Sequence, residues 1–302
     1  MEEENNSGKL LTIVLGPTAV GKTAHAIDVA QKIGSPVINC DSRQIFKEMT
    51  IGTAVPSREQ LQKVRHYFIQ TRSITESYAA GQYEIDALGL LEELFKTHDH
   101  LVMCGGSGLY IDAVCSGLDA FPEPDMELRA SLNSRMKEEG MDSLRYQLKQ
   151  LDPVSYDQMD IANPQRVIRA LEVTLQTGRR YSDWKTDPSK KRPFRIEKTG
   201  LRMDREKLYD RINRRVDKMM EEGLLDEVKS LDGFRYSDGV FRPDLLHIPP
   251  LRTVGYRELF DYLDGKCSLD DAVEKIKTNT RHYAKRQMSY WGRDRSIKWI
   301  TV

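Results

Sequence analysis

The chain has 302 residues, enough for one large α/β domain or a core with a smaller insertion, and its 39% hydrophobic and 30% charged residues fit a soluble globular protein better than a disordered one. Its 46 basic and 46 acidic residues cancel, so the total charge indicates no nucleic-acid partner, although a neutral total can hide local basic surfaces. No apolar run approaches the ~20 residues that span a bilayer, the start Met1–Asn6 is acidic, the four cysteines are dispersed and no surplus apolar stripe is present, which predicts a reduced, cytoplasmic monomer that binds no membrane.

Short apolar runs alternate with helical patterns over the first 120 residues, as expected for βαβ units on a parallel sheet. The predicted elements are, in chain order, a strand at 10–15, a helix at 23–33, a strand at 37–40, a helix at about 84–95 and a strand at 101–104. Each strand ends in a glycine-rich or polar loop, and the carboxyl ends of parallel strands line the ligand crevice of an open sheet. The three loops are therefore expected to face one site.

The loop after the first strand reads GPTAVGKT and carries the complete pattern G-x-x-x-x-G-K-[ST]. In this pattern the backbone N–H groups surround phosphate oxygens, the lysine bridges those oxygens, and the final hydroxyl can bind Mg²⁺. The residues expected to hold a diphosphate are Gly16, Pro17, Thr18, Ala19, Val20, Gly21, Lys22 and Thr23. The motif indicates a diphosphate-bearing ligand without saying which one.

The sequence pattern changes near Phe121, and from about 125 to 178 only helices are predicted. Helix breaks or starts are expected at Gly140, Asp152-Pro153 and Asn163-Pro164. A strand near 194–197, a long helix at about 205–231 and further helices to about 291 would return to the core. The predicted fold class is therefore α/β, with a P-loop NTPase-like parallel-sheet core (1–120 and 187–302) and an all-helical insertion domain (121–186).

Asp41 is the one acidic residue that directly follows a predicted core strand. It can cap the next helix, which is a structural role, or it can act across the crevice as a base or metal ligand. A P-loop nucleotidase normally carries a further magnesium-binding carboxylate after an apolar strand. The strand at 101–104 ends instead in Gly-Gly-Ser-Gly, which argues against that class.

Two arginines of the predicted long helix, Arg211 and Arg215, are four residues apart and therefore point the same way. Facing the crevice, they would stabilise negative charge on a departing diphosphate. The alternative is a solvated helix face on which they pair with Asp210 and Asp217.

Two stretches are locally basic despite the neutral total charge. Residues 179–205 hold ten Lys and Arg against four acids, and residues 281–298 hold six against one, with tyrosines and a tryptophan interleaved. Basic surfaces with aromatic side chains suit a structured RNA whose loop bases are unstacked. An ordinary charged surface remains the alternative for either stretch taken alone.

Four motifs, in this order, resemble those of the tRNA dimethylallyltransferases, also called tRNA isopentenyltransferases: GPTAVGKT (16–23), DSRQIFKEMTIGTAVP (41–56), GGSGLY (105–110) and NPQRVIRALEV (163–173). The closing segments LRTVGYRELFDYLDG (251–265) and TRHYAKRQMSYWGRD (280–294) are similar to that family as well. The resemblance implies transfer of a dimethylallyl group from dimethylallyl diphosphate to N6 of adenosine 37, beside the anticodon of tRNA. The products would be N6-(dimethylallyl)adenosine in tRNA and diphosphate.

The resemblance also implies roles for the matching residues. Residues 16–23 would hold the diphosphate with Thr23 on Mg²⁺, and Asp41 would be the general base, with Lys22, Thr23 and Ser107 as further catalytic residues. Ser107 stands where the family usually has threonine, which keeps the hydroxyl but loses the β-branch. The implied tRNA contacts are Asp41, Ser42, Arg43, Gln44, Ser107, Arg129, Gln165, Arg166, Val167, Ile168 and Arg169.

Three other functions remain open from the residues alone. An adenylate isopentenyltransferase acting on free AMP, ADP or ATP would share the catalytic core, but the full insertion and the basic C-terminal stretch favour tRNA. An ATP-dependent P-loop kinase explains the phosphate loop and neither of those features. An RNA-binding P-loop switch protein would need a base-recognition motif, which the sequence does not show.

Overall fold

The computed structural model describes residues 8–186, 190–237, 239–242, 245 and 247–302. The acidic start Met1–Asn6, and Asp187 of the basic stretch at 179–205, lie outside the described residues. The chain divides into two compact units, the first made of residues 1–115 and 191–302 and the second of residues 116–190. The domain boundaries predicted at 121 and 186 both fall within the second of these units.

The N-terminal part of the first unit alternates strands and helices. Its elements are β1 (Leu10–Leu15), α1 (Lys22–Ile33), β2 (Val37–Asn39), α2 (Arg58–Lys63), β3 (His66–Tyr67), α3 (Ala80–Phe95), β4 (His100–Cys104) and α4 (Gly108–Ser116). The strands and helices predicted in this part are confirmed to within a few residues, because each follows a clear apolar period. The short elements α2 and β3, and the helix α4, are additions that the sequence patterns did not predict.

The described residues of the second unit form helices and loops. Its α-helices are α5 (Met126–Glu139), α6 (Met141–Leu151), α7 (Pro153–Gln158) and α8 (Pro164–Thr177). The predicted helix start is confirmed, because the Asn163 side chain accepts hydrogen bonds from the backbone N–H groups of Gln165 and Arg166. Leu144, Leu148 and Leu171 are fully buried between these helices and form the centre of the unit's core.

The chain then returns to the first unit. The α-helices and strands of this part are β5 (Arg195–Arg202), α9 (Arg205–Glu221), α10 (Leu224–Ser230), the antiparallel pair β6 (Tyr236–Ser237) and β7 (Val240–Phe241), α11 (Tyr256–Leu263), α12 (Leu269–Trp291) and β8 (Ile297–Thr301). The single helix predicted at 205–231 is wrong. Gly223 adopts a left-handed conformation with φ 97° and separates α9 from α10.

One six-stranded sheet organises the first unit, in the order β3-β2-β4-β1-β5-β8, and all of its pairs are parallel. β1 lies between β4 and β5, and its residues Leu11, Ile13 and Val14 are completely buried. The parallel-sheet core is therefore as predicted, and it brings the carboxyl ends of β1, β2 and β4 to one edge. Among the described residues, no helix is long and apolar enough to cross a membrane.

Candidate active site

The phosphate loop connects β1 to α1 and depends on two glycines. Gly16 has φ 147°, and a Cβ at this position would lie 2.6 Å from the carbonyl oxygen of Leu201. Gly21 has φ 107°, in the region that side-chain-bearing residues rarely adopt. The Lys22 ammonium donates a hydrogen bond to the Pro17 carbonyl at 2.8 Å and so lies folded over the loop. Both glycines are required for the tight path that a phosphate-binding loop follows.

The loop after β4 approaches the end of β2 closely. A Cβ on Gly105 would lie 2.5 Å from the carbonyl carbon of Cys40, and a Cβ on Gly106 would lie 2.5 Å from Nε2 of Gln287. Ser107 accepts a hydrogen bond at Oγ from the Ser42 N–H at 2.9 Å, and its hydroxyl donates to the Ser42 Oγ at 3.0 Å. The glycines therefore allow the loops after β2 and β4 to lie side by side, with Ser107 linking them.

Asp41 follows β2 with only one carboxylate oxygen used by the protein. Its Oδ1 accepts hydrogen bonds from the backbone N–H groups of Arg43 at 2.9 Å and Gln44 at 3.4 Å. The structural capping role considered from the sequence is therefore present. Within the described part of the chain, Oδ2 has no hydrogen-bond donor, so this oxygen remains available to a ligand.

A cavity of about 950 Å³ opens at this edge of the sheet. Its basic lining residues are Lys22, Arg43, Arg211, Arg214, Arg215, Lys218, Arg252 and Arg286. Asp41 is its one acidic lining residue among the described residues. Met219, Leu224, Val254 and Ile276 add apolar side chains to the wall. The cavity therefore combines strong positive potential, one carboxylate and an apolar surface, and it is large enough for a phosphorylated organic ligand.

The two arginines predicted to face a diphosphate both line this cavity. The Arg215 guanidinium donates to the Thr18 hydroxyl of the phosphate loop at 3.4 Å. The alternative pairing is absent among the described residues, because Asp210 pairs with Arg214 and Asp217 with Lys277. Burial lowers the pKa of Arg215, and Asp41 nearby partly opposes that shift. A partly desolvated guanidinium beside a phosphate loop is suited to a multiply charged anion.

The Lys22 ammonium has a lower pKa than an ordinary lysine. Burial lowers its pKa from the usual 10.5, and Arg215 lowers it further, while Cys104 and Asp41 act in the opposite direction. A lowered pKa means that the ammonium loses its proton at a lower pH than a free lysine does. Diphosphate binding that depends on the ammonium should therefore weaken as the pH rises through this lowered value.

We expect kcat/KM for the diphosphate substrate to show an alkaline limb with an apparent pKa below 10.5, because free enzyme with neutral Lys22 binds the anion poorly. The measurement is a pH profile from about 7 to 10.5, with circular dichroism confirming that the fold persists. The Lys22→Arg variant is the matched control, since guanidinium stays charged and should remove the limb. An unchanged limb in that variant would assign the ionisation to another group.

The residues predicted to contact tRNA fall into two sets. Asp41, Arg43 and Gln44 line the cavity of the first unit, whereas Ser42 and Ser107 are not among its lining residues and contact each other as described above. Arg129 and the run Gln165–Arg169 belong to the second unit. Within the second unit the Val167 side chain is fully buried and that of Ile168 nearly so, and both belong to its core.

An ion-pair cluster holds two of those residues. The carboxylate of Glu172, which is completely buried, lies 2.6 Å from Nη2 of Arg129 and 3.1 Å from Nη1 of Arg169. Arg169 also donates to the Pro122 carbonyl at 2.7 Å. Gln165 and Arg166 are exposed, so their side chains are the freest of the predicted set to meet a partner.

Gln287, which was not among the predicted site residues, links two loops of the site. Its Oε1 accepts from the Thr18 N–H at 2.8 Å, and its Nε2 donates to the Gly106 carbonyl at 2.9 Å. The sequence carries a signal for this residue, since Ile276, Thr280, Tyr283 and Gln287 are spaced by four, three and four residues and therefore share one face of a helix. In the structure this face of α12 lines the cavity.

Comparison with known proteins identifies the family to which the sequence is similar. The family model described as IPP transferase matches residues 44–294. The curated "tRNA dimethylallyltransferase 1" of Bacteroides thetaiotaomicron is 46% identical over 290 residues, covering 96% of this chain and 91% of its own length. The "tRNA dimethylallyltransferase 2" of Parabacteroides distasonis is 48% identical, with 96% and 93% covered.

Solved structures are similar over the same extent. The full-length tRNA isopentenylpyrophosphate transferase of Bacillus halodurans has a TM-score of 0.69 at 34% identity, and the match covers 98% of this chain and 90% of that one. A eukaryotic dimethylallyltransferase, described as acting on tRNA, has a TM-score of 0.78 at 25% identity, with 97% and 74% covered. From the matched family model and the extent of these identities, the chain belongs to the IPP transferase family, the tRNA dimethylallyltransferases.

Proposed function

We propose that the chain transfers a dimethylallyl group from dimethylallyl diphosphate to N6 of adenosine 37 in tRNA, releasing diphosphate. The observation that carries the proposal is the cavity at the sheet edge, with many cations, a phosphate loop and the single carboxylate of Asp41. The curated relatives, which are named tRNA dimethylallyltransferases, support the same reaction.

The basic residues that line the cavity are suited to stabilise the departing diphosphate. An allylic carbon–oxygen bond breaks more readily when the leaving anion is stabilised by cations and backbone donors already in place. Lys22, Arg211 and Arg215 supply the cations, and the loop Gly16–Thr23 supplies N–H groups at the start of α1. The apolar lining residues suit a five-carbon allyl chain.

The accepting nitrogen needs a base because an adenine amine is a weak nucleophile. As the new N–C bond forms, one N6 proton must leave, and Oδ2 of Asp41 is the free carboxylate oxygen in the cavity. The adenosine would have to leave the stack of the anticodon loop to reach it, as in other enzymes that modify a base. Asp41 is therefore our proposed general base.

The donor set at the phosphate loop fits Mg²⁺ held jointly with the substrate. No group of three or more His, Cys, Asp or Glu side chains in the described ranges could hold a metal alone. Mg²⁺ commonly binds through one or two protein oxygens, waters and substrate phosphate, and the Thr23 hydroxyl lines the cavity at the start of α1. When bound, Mg²⁺ would neutralise charge on the diphosphate.

We propose RNA contacts in the first unit and in the second unit. In the first unit, Arg43 and Gln44 line the cavity and the C-terminal basic stretch at 281–298 lies on and after α12. In the second unit, the candidates are Gln165 and Arg166, which are exposed, together with Arg129 and Arg169, which are partly exposed. Arginine and amide side chains of this kind suit phosphates and unstacked loop bases.

The test is incubation with labelled dimethylallyl diphosphate and either tRNA or AMP. Label in tRNA at adenosine 37, and none in AMP, is the expected result. Label in AMP alone would support an adenylate isopentenyltransferase, and ATP turnover without transfer would support a kinase. A tRNA with guanosine at position 37 is the matched negative control, since it differs only in the acceptor base.

A further inference from the structure

The loop that follows Met49 is held by a carboxylate from a helix that is distant in sequence. Glu227, on α10, accepts hydrogen bonds from the backbone N–H groups of Thr50 at 3.1 Å, Ile51 at 2.7 Å and Gly52 at 3.1 Å. Three consecutive N–H groups converging on one anion form a well-defined concave binding arrangement. One side chain therefore fixes the conformation of this loop.

Tyr256, at the start of α11, completes the arrangement. Its hydroxyl donates to Oε1 of Glu227 at 2.6 Å, and its side chain is completely buried. A Cβ on Gly52 would lie 2.5 Å from Cε2 of the Tyr256 ring. The loop is thus fixed by hydrogen bonds at Glu227 and by close ring contact at Gly52.

The next residues of the same loop form part of the cavity wall and orient the side-chain amide of Gln44. Thr53 and Ala54 line the cavity, and their carbonyl groups accept both N–H bonds of the Gln44 side chain, at 3.1 and 2.8 Å. Only the amide nitrogen can donate to two carbonyls, so the orientation of the amide is determined by its partners. The Gln44 Oε1 is therefore left as the hydrogen-bonding atom that this residue offers to a ligand.

We propose that Glu227, with Tyr256, is a positioning residue that determines base specificity by holding Gln44 as a hydrogen-bond acceptor. This inference rests on the proposed function, in which the ligand is a purine base. Adenine carries an exocyclic amine that can donate to the Gln44 Oε1, whereas hypoxanthine and guanine carry an oxygen at that position, which would place two acceptors against each other. Leaving buried polar atoms unpaired is costly, so the amine is selected.

The experiment compares binding of two anticodon stem-loops that differ only at position 37, one with adenosine and one with inosine. Wild-type enzyme is expected to bind the adenosine form roughly 10-fold more tightly, as one lost hydrogen bond and one acceptor clash predict. Glu227→Gln replaces one of the two accepting oxygens with an NH₂ donor, so the side chain can no longer accept all three N–H groups. In this variant the ratio of the two affinities, adenosine form over inosine form, should fall towards one. The KM for tRNA should rise, while the KM for dimethylallyl diphosphate stays unchanged.

Control variants separate positioning from loss of the fold. Asp226→Asn changes the neighbouring acid on α10, whose side chain is 82% exposed, and should leave the ratio unchanged. Tyr256→Phe removes only the hydroxyl and should lower the ratio less than Glu227→Gln does. Gln44→Met removes the acceptor itself, so it tests the same idea if Glu227→Gln does not fold.

The possible outcomes distinguish this inference from the proposed function. Absence of transfer to any tRNA by the wild-type enzyme would reject the proposed function. Normal transfer with equal binding of the two stem-loops by the wild type, or an unchanged ratio in Glu227→Gln and Gln44→Met, would reject only the positioning role. A lower ratio in both variants, with the folding transition of wild type retained, supports it.

Discussion

Replacing Asp41 by Asn is expected to lower the rate of dimethylallyl transfer by on the order of 10²–10⁴, the usual contribution of a positioned base. The carboxylate Oδ2 faces no protein donor among the described residues, so a ligand proton is its natural partner in the cavity. An amide of the same shape cannot accept that proton. Binding of tRNA should be nearly unchanged, because many other contacts carry its affinity.

Asparagine is chosen because it can keep the hydrogen bonds that the other carboxylate oxygen of Asp41, Oδ1, accepts from the backbone. Oδ1 accepts from the N–H groups of Arg43 and Gln44, and an amide oxygen can keep both hydrogen bonds. Asp41→Ala would remove the turn contacts together with the base, so its loss of activity would be ambiguous. Single-turnover rates with saturating substrates measure the chemical step. A rate close to that of wild type in Asp41→Asn would eliminate Asp41 as the base.

Local sequence patterns predict the framework of the fold well. β1 and β4 are short apolar runs, and α1 ends at a left-handed Gly34, so each of these elements is specified by its own residues. The break between α9 and α10 was missed because apolar spacing continues across Gly223, although this glycine adopts a left-handed φ of 97° that ends α9. β8 was missed because a five-residue edge strand near the end of a chain carries a weak signal.

In the candidate site, too, the features formed by neighbouring residues can be predicted from the sequence, and the contacts between distant residues cannot. The phosphate loop and Asp41 can be found from the sequence because the loop directly follows β1 and Asp41 lies two residues after the end of β2. The contacts of Glu227 cannot, since its carboxylate reaches residues that are 175 to 177 positions away in the chain. The Gln287 link to Thr18 spans 269 positions. Such pairs are determined by how helices pack on the sheet, and no local period encodes that packing.

Replacing Arg215 by Met is expected to lower kcat by on the order of 10², the effect of removing one preorganised group that stabilises developing charge. Arg215 lies beside the phosphate loop, where its guanidinium contacts the Thr18 hydroxyl, and burial makes its interaction with an anion stronger than in water. Methionine keeps much of the side-chain volume, so the cavity wall should persist. Single-turnover transfer to tRNA measures the effect.

The neighbouring Arg214→Met is the matched control, because it removes the same charge from the same helix. Arg214 also lines the cavity, but its side chain is 71% exposed and it pairs with Asp210 one turn away. An exposed pair of this kind contributes little free energy, and solvent screens its effect on the substrate. A small loss in Arg214→Met beside a large one in Arg215→Met would locate the departing diphosphate near Thr18. Equal losses in the two variants would instead indicate that the cavity acts through its total charge, with no preferred position for the anion.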